Sequence, residues 1–261
     1  MLLPQASSFR WLLTNRLVPF SVLVISLFAL SISRVDADEV PSLKQIYRSY
    51  IESCGGYRHL ESLHSLAIQG IYYLENDESV TVEIYRKTPG KIRIRKKFSN
   101  FIEELVFNGV EGCLIRSTLD GQQFELRRLD EKENASMLTS SSMKGLFYLL
   151  GQQPENVSSV SLDTVNGVST YRIDFLSDIG LPCETIWLDV NTYLEIKVAR
   201  QMEEDGSSLL EEIFFYELSE VDGHPVHFRQ ETYVDGKFNN RFELLSVRAN
   251  AGIFNDYFEI D

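Results

Sequence analysis

His224 and His227, separated by Pro225 and Val226, are the nearest pair of imidazoles in a chain that has four histidines. A pair could hold a metal or move a proton, but Pro225 and a turn-to-strand setting offer it no further ligand at a zinc-like spacing. A strand-edge role is therefore expected. His59 and His64 flank a short turn without a cysteine or carboxylate at ligand spacing. Cys54, Cys113 and Cys183 form no C-x-x-C pair, and an odd count leaves a thiol over even if one disulfide forms. Cys113 falls in an apolar strand and reads as a small buried hydrophobe. The acids Glu103-Glu104, Glu203-Glu204 and Glu211-Glu212 are adjacent, and neighbours on a strand point to opposite faces, so they do not make catalytic dyads. Arg93, Arg95 and Lys97 do share a face. They read either as a solvated face set against those acids or as a patch for an anionic headgroup or partner. G-x-S-x-G, H-E-x-x-H, P-loop and dinucleotide fingerprints are absent. The expectation is no enzyme, no metal and no cofactor.

What remains is apolar bulk, with 16 Phe and 12 Tyr in 261 residues. Most of it reads as core. A curved sheet can also enclose a cavity whose mixed aliphatic and aromatic lining suits acyl chains. The candidates for its wall or lid are Tyr72, Tyr85, Phe98, Phe107, Phe124, Phe147, Leu149, Leu150, Phe175 and Trp187. The apolar run 146–150 is the best placed to act as a lid.

The elements that would position them have mostly a period of two. Pro41-Ser42-Leu43 starts a helix whose apolar residues Leu43, Ile46, Tyr47, Tyr50 and Ile51 recur at helical spacing, and Gly55-Gly56 stops it. About a dozen strands follow, from Leu66–Leu74 to Phe238–Val247. Asn76-Asp77, Pro89-Gly90, Asn166-Gly167, Asp205-Gly206, Asp222-Gly223 and Asp235-Gly236 mark turns between them. One helical insertion, Glu131–Gly151, interrupts the strands, and a coil tail closes the chain. The fold class is mainly β with α (α+β): one domain, residues 38–261, with a large curved antiparallel sheet covered by two helical elements.

The first 37 residues read as a cleavable secretory signal. Arg10 and Arg16 precede an uncharged run from Leu17 to Ser33, and Val35 and Ala37 occupy the positions a signal peptidase inspects. An uncleaved inner-membrane anchor is the alternative, although the run is short for a span. Asp38 follows Ala37, so no cysteine is placed to take a lipid anchor. The expected location is periplasmic. A net charge of −13 argues against nucleic acid or an anionic membrane surface as a partner.

The order of these pieces resembles the LolA/LolB superfamily, in particular its lipoprotein-sorting-protein-like group. The residues that carry the resemblance begin with Tyr50 to Gly56, Ile68 to Tyr72, and Tyr85 to Arg93 through Pro89. They continue with Val106 to Gly112, Val165 to Val168 before Tyr171, Trp187 to Leu194, Val221 to Pro225, and Asn250 to Phe258. The resemblance covers nearly all of the chain after the signal. It implies an incomplete antiparallel barrel closed by helices that binds lipid or acyl chains in its cavity without catalysis. Dedicated lipoprotein shuttles of the group often carry Arg directly before the Pro of the third-strand junction; this chain has Thr88 there, with Arg86 and Lys87 before it. The implied partner is lipid or an acylated protein, with a membrane-bound partner protein as a second, and the chain is expected to be a monomer. The alternative function is an envelope sensor or scaffold that binds a partner protein.

Overall fold

The structure is a computed structural model that describes residues 40–75, 78–176, 183–204 and 207–260. The expected signal segment and the Asn76-Asp77 and Asp205-Gly206 turns lie outside these residues. The chain opens with α1 (Leu43–Ser53), which begins where Ser42 and Gln45 satisfy each other's backbone N–H groups. Gly55 and Gly56, at φ of 88° and 85°, end that stretch, and a short α2 (Tyr57–Glu61) follows.

Six strands come next: β1 (Ser65–Leu74), β2 (Ser79–Lys87), β3 (Lys91–Lys97), β4 (Phe101–Phe107), β5 (Gly112–Thr118) and β6 (Gln123–Arg128). The expected helical insertion is two helices, α3 (Glu131–Ser140) and α4 (Leu146–Leu150). Asp130 and Glu133 form a reciprocal cap at the start of α3. The insertion breaks before α4 because Gly145 adopts φ 83° and ψ 161°, a conformation that does not continue a helix. Seven strands complete the chain: β7 (Val157–Val165), β8 (Val168–Phe175), β9 (Thr185–Asp189), β10 (Glu195–Glu204), β11 (Ser207–Val221), β12 (His224–Val234) and β13 (Lys237–Ala249). Asn166-Gly167, Asp222-Gly223 and Asp235-Gly236 all have positive φ at both residues, the geometry of tight hairpin turns.

All thirteen strands join one antiparallel sheet in the order β6-β5-β4-β3-β2-β1-β13-β12-β11-β10-β9-β8-β7. The first and last strands pair at its centre, so the two edges, β6 and β7, are the strands that flank the insertion. The sheet does not close edge to edge, and α3 and α4 lie in the connection between the edges. A twisted sheet of this width curls rather than staying flat. The result is the expected incomplete barrel.

Period-two parity assigns the faces. On the concave face Val80, Val82 and Ile84 of β2, Ile92 of β3 and Phe107 of β4 form one apolar cluster with Met137 of α3. Ile173 of β8, Ile186 and Leu188 of β9 and Val198 of β10 form a second, with Ile46, Tyr50 and Ile51 of α1 and Phe147 and Leu150 of α4. The adjacent acids separate as parity requires. Glu104 meets Arg93 at 2.8 Å and Arg95 at 3.2 Å, while Glu103, on the other face, meets Arg116 at 2.8 Å and Lys96 at 3.5 Å. The tail crosses the convex face, where Phe258 is fully buried and Arg93 donates to the Tyr257 carbonyl.

Candidate functional site

Between the concave face and the helices lies a cavity of about 340 Å³. Its wall is continuous across the place where β1 meets β13. Ile68 and Tyr72 of β1 and Ile84 of β2 contribute from one half. Phe242, Leu244 and Val247 of β13, Val226 of β12 and Phe215 of β11 contribute from the other, with Tyr50, Leu60 and Leu146 above them. Gly70 lets Phe242 lie flat against β1, since a Cβ there would stand 2.4 Å from the ring. The backbone register shifts at this point, between Gln69 and Gly70.

Arg86 and Glu195 interrupt the apolar wall at separate places. Arg86 follows Val82 and Ile84 at the inward phase of β2, and its Nε donates to the Ser140 carbonyl of α3 at 2.9 Å. Desolvation holds its pKa below the usual arginine value. Glu195 begins β10 and accepts hydrogen bonds from the Phe147 N–H at 3.0 Å and the Tyr50 hydroxyl at 3.1 Å. It thereby ties α1, α4 and the sheet together. Burial raises the Glu195 pKa above the usual carboxylate range even though these donors act to lower it. Lys144 also borders the cavity and is paired with Glu61.

A carboxylate whose pKa is raised in the folded chain binds its proton more tightly there than when unfolded, so stability falls as pH rises through that interval. Glu195→Gln keeps an acceptor for Phe147 and Tyr50 but cannot ionise. The variant is expected to exceed the parent in stability at pH 8, with the gap closing toward pH 4. Denaturant melts across that range check it; a variant that is less stable at pH 8 contradicts the burial argument.

Two of the histidines are placed more closely than their spacing suggests. His59 and His224 stack with ring centroids 3.8 Å apart at the cavity's edge, and burial lowers the pKa of both His224 and His227. Gly223 makes room for the stack, since a Cβ there would lie 2.9 Å from the His59 ring. All three cysteines are buried and unpaired. Burial pushes the Cys54 and Cys183 thiols up to about 12, which leaves them protonated and poorly nucleophilic.

Of the ten residues singled out from the sequence, the structure puts Tyr72 in the cavity wall. Phe98 and Phe107 belong to the concave cluster beneath α3, and Phe147, Leu150 and Phe175 to the one beneath α1. Leu149 borders a groove beside α3. Tyr85 meets Tyr257 of the tail, and Trp187 lies under Lys197 with its indole N–H donating to Asp163. Both occupy the convex parity, one residue out of phase with Ile84 and Ile186. Phe124 is exposed on the edge strand β6. Sequence reasoning missed Arg86, Glu195, Phe215, Phe242 and Leu244. The signal that could have found Arg86 is a lone cation in phase with inward-facing aliphatic residues.

No helix among the described residues is long and apolar enough to cross a membrane. No protein-family model matches the sequence, and no curated protein matches it either. Among solved structures the fold is similar to that of a DUF1329 family protein from Desulfovibrio piger, at 12% identity and a TM-score of 0.53 over 84% of this chain and 98% of that one. It is also similar to a LolA superfamily protein from Nitrosomonas europaea, at 6% identity and a TM-score of 0.51 over 85% of this chain and 99% of that one. At these identities the likeness is one of fold, and the fold is the LolA-like incomplete barrel that the sequence resemblance implies.

Proposed function

We propose that this chain, with its LolA-like fold, is a periplasmic carrier that holds lipid or protein-linked acyl chains in the cavity between its sheet and its helices, without catalysing a reaction. The observation that carries the reading is the cavity. Its volume falls within the range of small-molecule sites, and aliphatic and aromatic side chains from both halves of the sheet line it. Affinity would come from removing hydrocarbon from water, at about 0.8 kcal/mol per CH₂. Entry and release would require the α3–α4 connection to move, because it spans the concave face between the sheet's edges. Export by the amino-terminal segment would place the carrier in an aqueous compartment between membranes, and its negative charge would discourage adsorption to anionic lipid surfaces.

Mass spectrometry of an organic extract tests this reading on protein purified from the envelope of its host. Co-purifying phospholipid, fatty acid or acylated peptide in near-stoichiometric amount is the expected result. An empty protein that captures one membrane protein instead would favour the sensor or scaffold function.

A further inference from the structure

We infer that the cavity selects amphiphiles with an anionic head, and that Arg86 and the Tyr72 hydroxyl receive that head while the hydrocarbon lies along β13. The inference rests on the carrier reading and adds the chemical class of the cargo. It starts from an imbalance of charge in the cavity wall. Two cationic side chains line the cavity, Arg86 and Lys144, and Lys144 is already neutralised by Glu61. Arg86 has no carboxylate within 4 Å among the described residues. Among the described residues its one hydrogen bond runs from Nε to the Ser140 carbonyl, and both terminal nitrogens of the guanidinium are without a protein acceptor.

Arg86 is half-buried, and its surroundings favour a counter-charge. Ile84, two residues earlier on the same face of β2, is apolar, and across β1 stand Ile68 and Phe242. Taking a cation out of water without a counter-charge is costly, so buried arginines are ordinarily paired. Tyr72 lies near enough for the Arg86 charge to act on it, is itself partly buried, and its hydroxyl has no hydrogen-bond partner among the described residues. A planar guanidinium and a phenol with free donors, set in one wall, match the oxygens of a carboxylate or phosphate. The cavity's carboxylate, Glu195, does not compete for Arg86, being committed to the Phe147 N–H and Tyr50 at a separate part of the wall. A single-chain anionic amphiphile would supply both the counter-charge and the apolar filling.

Displacement of a fluorescent fatty-acid analogue tests the inference on the chain without its amino-terminal 37 residues, using oleate, lysophosphatidic acid and the uncharged monoolein. Oleate and lysophosphatidic acid distinguish a carboxylate from a phosphate head; acetate and inorganic phosphate alone serve to show that the head without its tail is not enough. The parent is expected to prefer at least one anionic amphiphile over monoolein by about 10–100-fold, the span of one or two charge-assisted hydrogen bonds. Arg86→Gln should abolish that preference while changing monoolein binding less than about threefold. Arg86→Lys, which keeps the charge without the planar fork, should retain part of it. A melt of each variant confirms that it is folded. Equal binding of oleate, lysophosphatidic acid and monoolein by the parent, or a preference that survives in Arg86→Gln, overturns the headgroup site and leaves the carrier standing. Failure of all three amphiphiles to bind overturns both.

Discussion

A Phe147→Ala variant is expected to lose about 3–5 kcal/mol of unfolding free energy, the cost of truncating a fully buried aromatic that its neighbours cannot collapse onto. Phe147 has no accessible surface. The rings of Tyr47 and Tyr50 meet it edge-on at 5.8 and 5.2 Å, so α1 holds it from two sides. Its own N–H is fixed by Glu195. Both α1 and the sheet beneath it therefore present fixed surfaces to the void that alanine would leave. Urea unfolding followed by tryptophan fluorescence and by far-UV circular dichroism gives the value. A loss below about 1 kcal/mol would mean that α4 is only loosely docked on the sheet.

Gly145→Ala is expected to cost about 3 kcal/mol, although it adds one methyl group to a glycine. Two effects combine. The backbone at Gly145 has φ 83° and ψ 161°, a region that residues with a Cβ avoid, and an added Cβ would stand 2.2 Å from the Tyr50 hydroxyl. Tyr50 is itself buried, so either its ring or the Gly145 backbone must shift, and the hydroxyl's hydrogen bonds to Glu195 and to the Lys144 carbonyl are the contacts disturbed. The result would be a weakened buried hydrogen-bond pair and a loosened start to α4. Hydrogen exchange should show faster exchange of the Phe147 amide relative to the central strands. Unchanged protection at Phe147 together with unchanged stability would show that the clasp is not a constraint.

Much of the fold was legible because the sheet repeats one pattern. The alternation along Val80, Val82 and Ile84, and the Asn-Gly and Asp-Gly pairs between strands, determine strand, face and turn from neighbours in sequence. The stop at Gly55-Gly56 and the start at Ser42 were equally local. The break inside the insertion was less so. Ser141 to Gly145 reads as part of one helical segment, whereas the structure ends α3 at Ser140 and restarts the helix at Leu146 after the Gly145 backbone turns.

The site was harder to read because its wall is assembled from strands far apart in sequence. The pairing of β1 with β13 brings Tyr72 beside Phe242, their rings 4.7 Å apart, across 170 residues of chain. Nothing local to Phe242 announces that neighbour. Tyr85 and Trp187 mislead for a different reason, their size and aromaticity. Tyr85 is in phase with Thr81 and Glu83 on β2, and Trp187 with Thr185 and Asp189 on β9, so the alternation itself already points both away from the face that carries Ile84 and Ile186. Glu195 gave no sequence signal, because its partners Tyr50 and Phe147 come from two helices elsewhere in the chain.

A carrier of this kind must hold hydrocarbon in the space between β13 and the helices. A fluorescent fatty-acid analogue is titrated into the parent and into Leu244→Trp, whose indole would fill that space. The parent is expected to bind saturably, one to one, and Leu244→Trp to lose about tenfold or more in affinity, the equivalent of about two methylene groups left outside the cavity, with the variant still folded. Equal affinities in the two proteins, or no saturable binding in the parent, would contradict it.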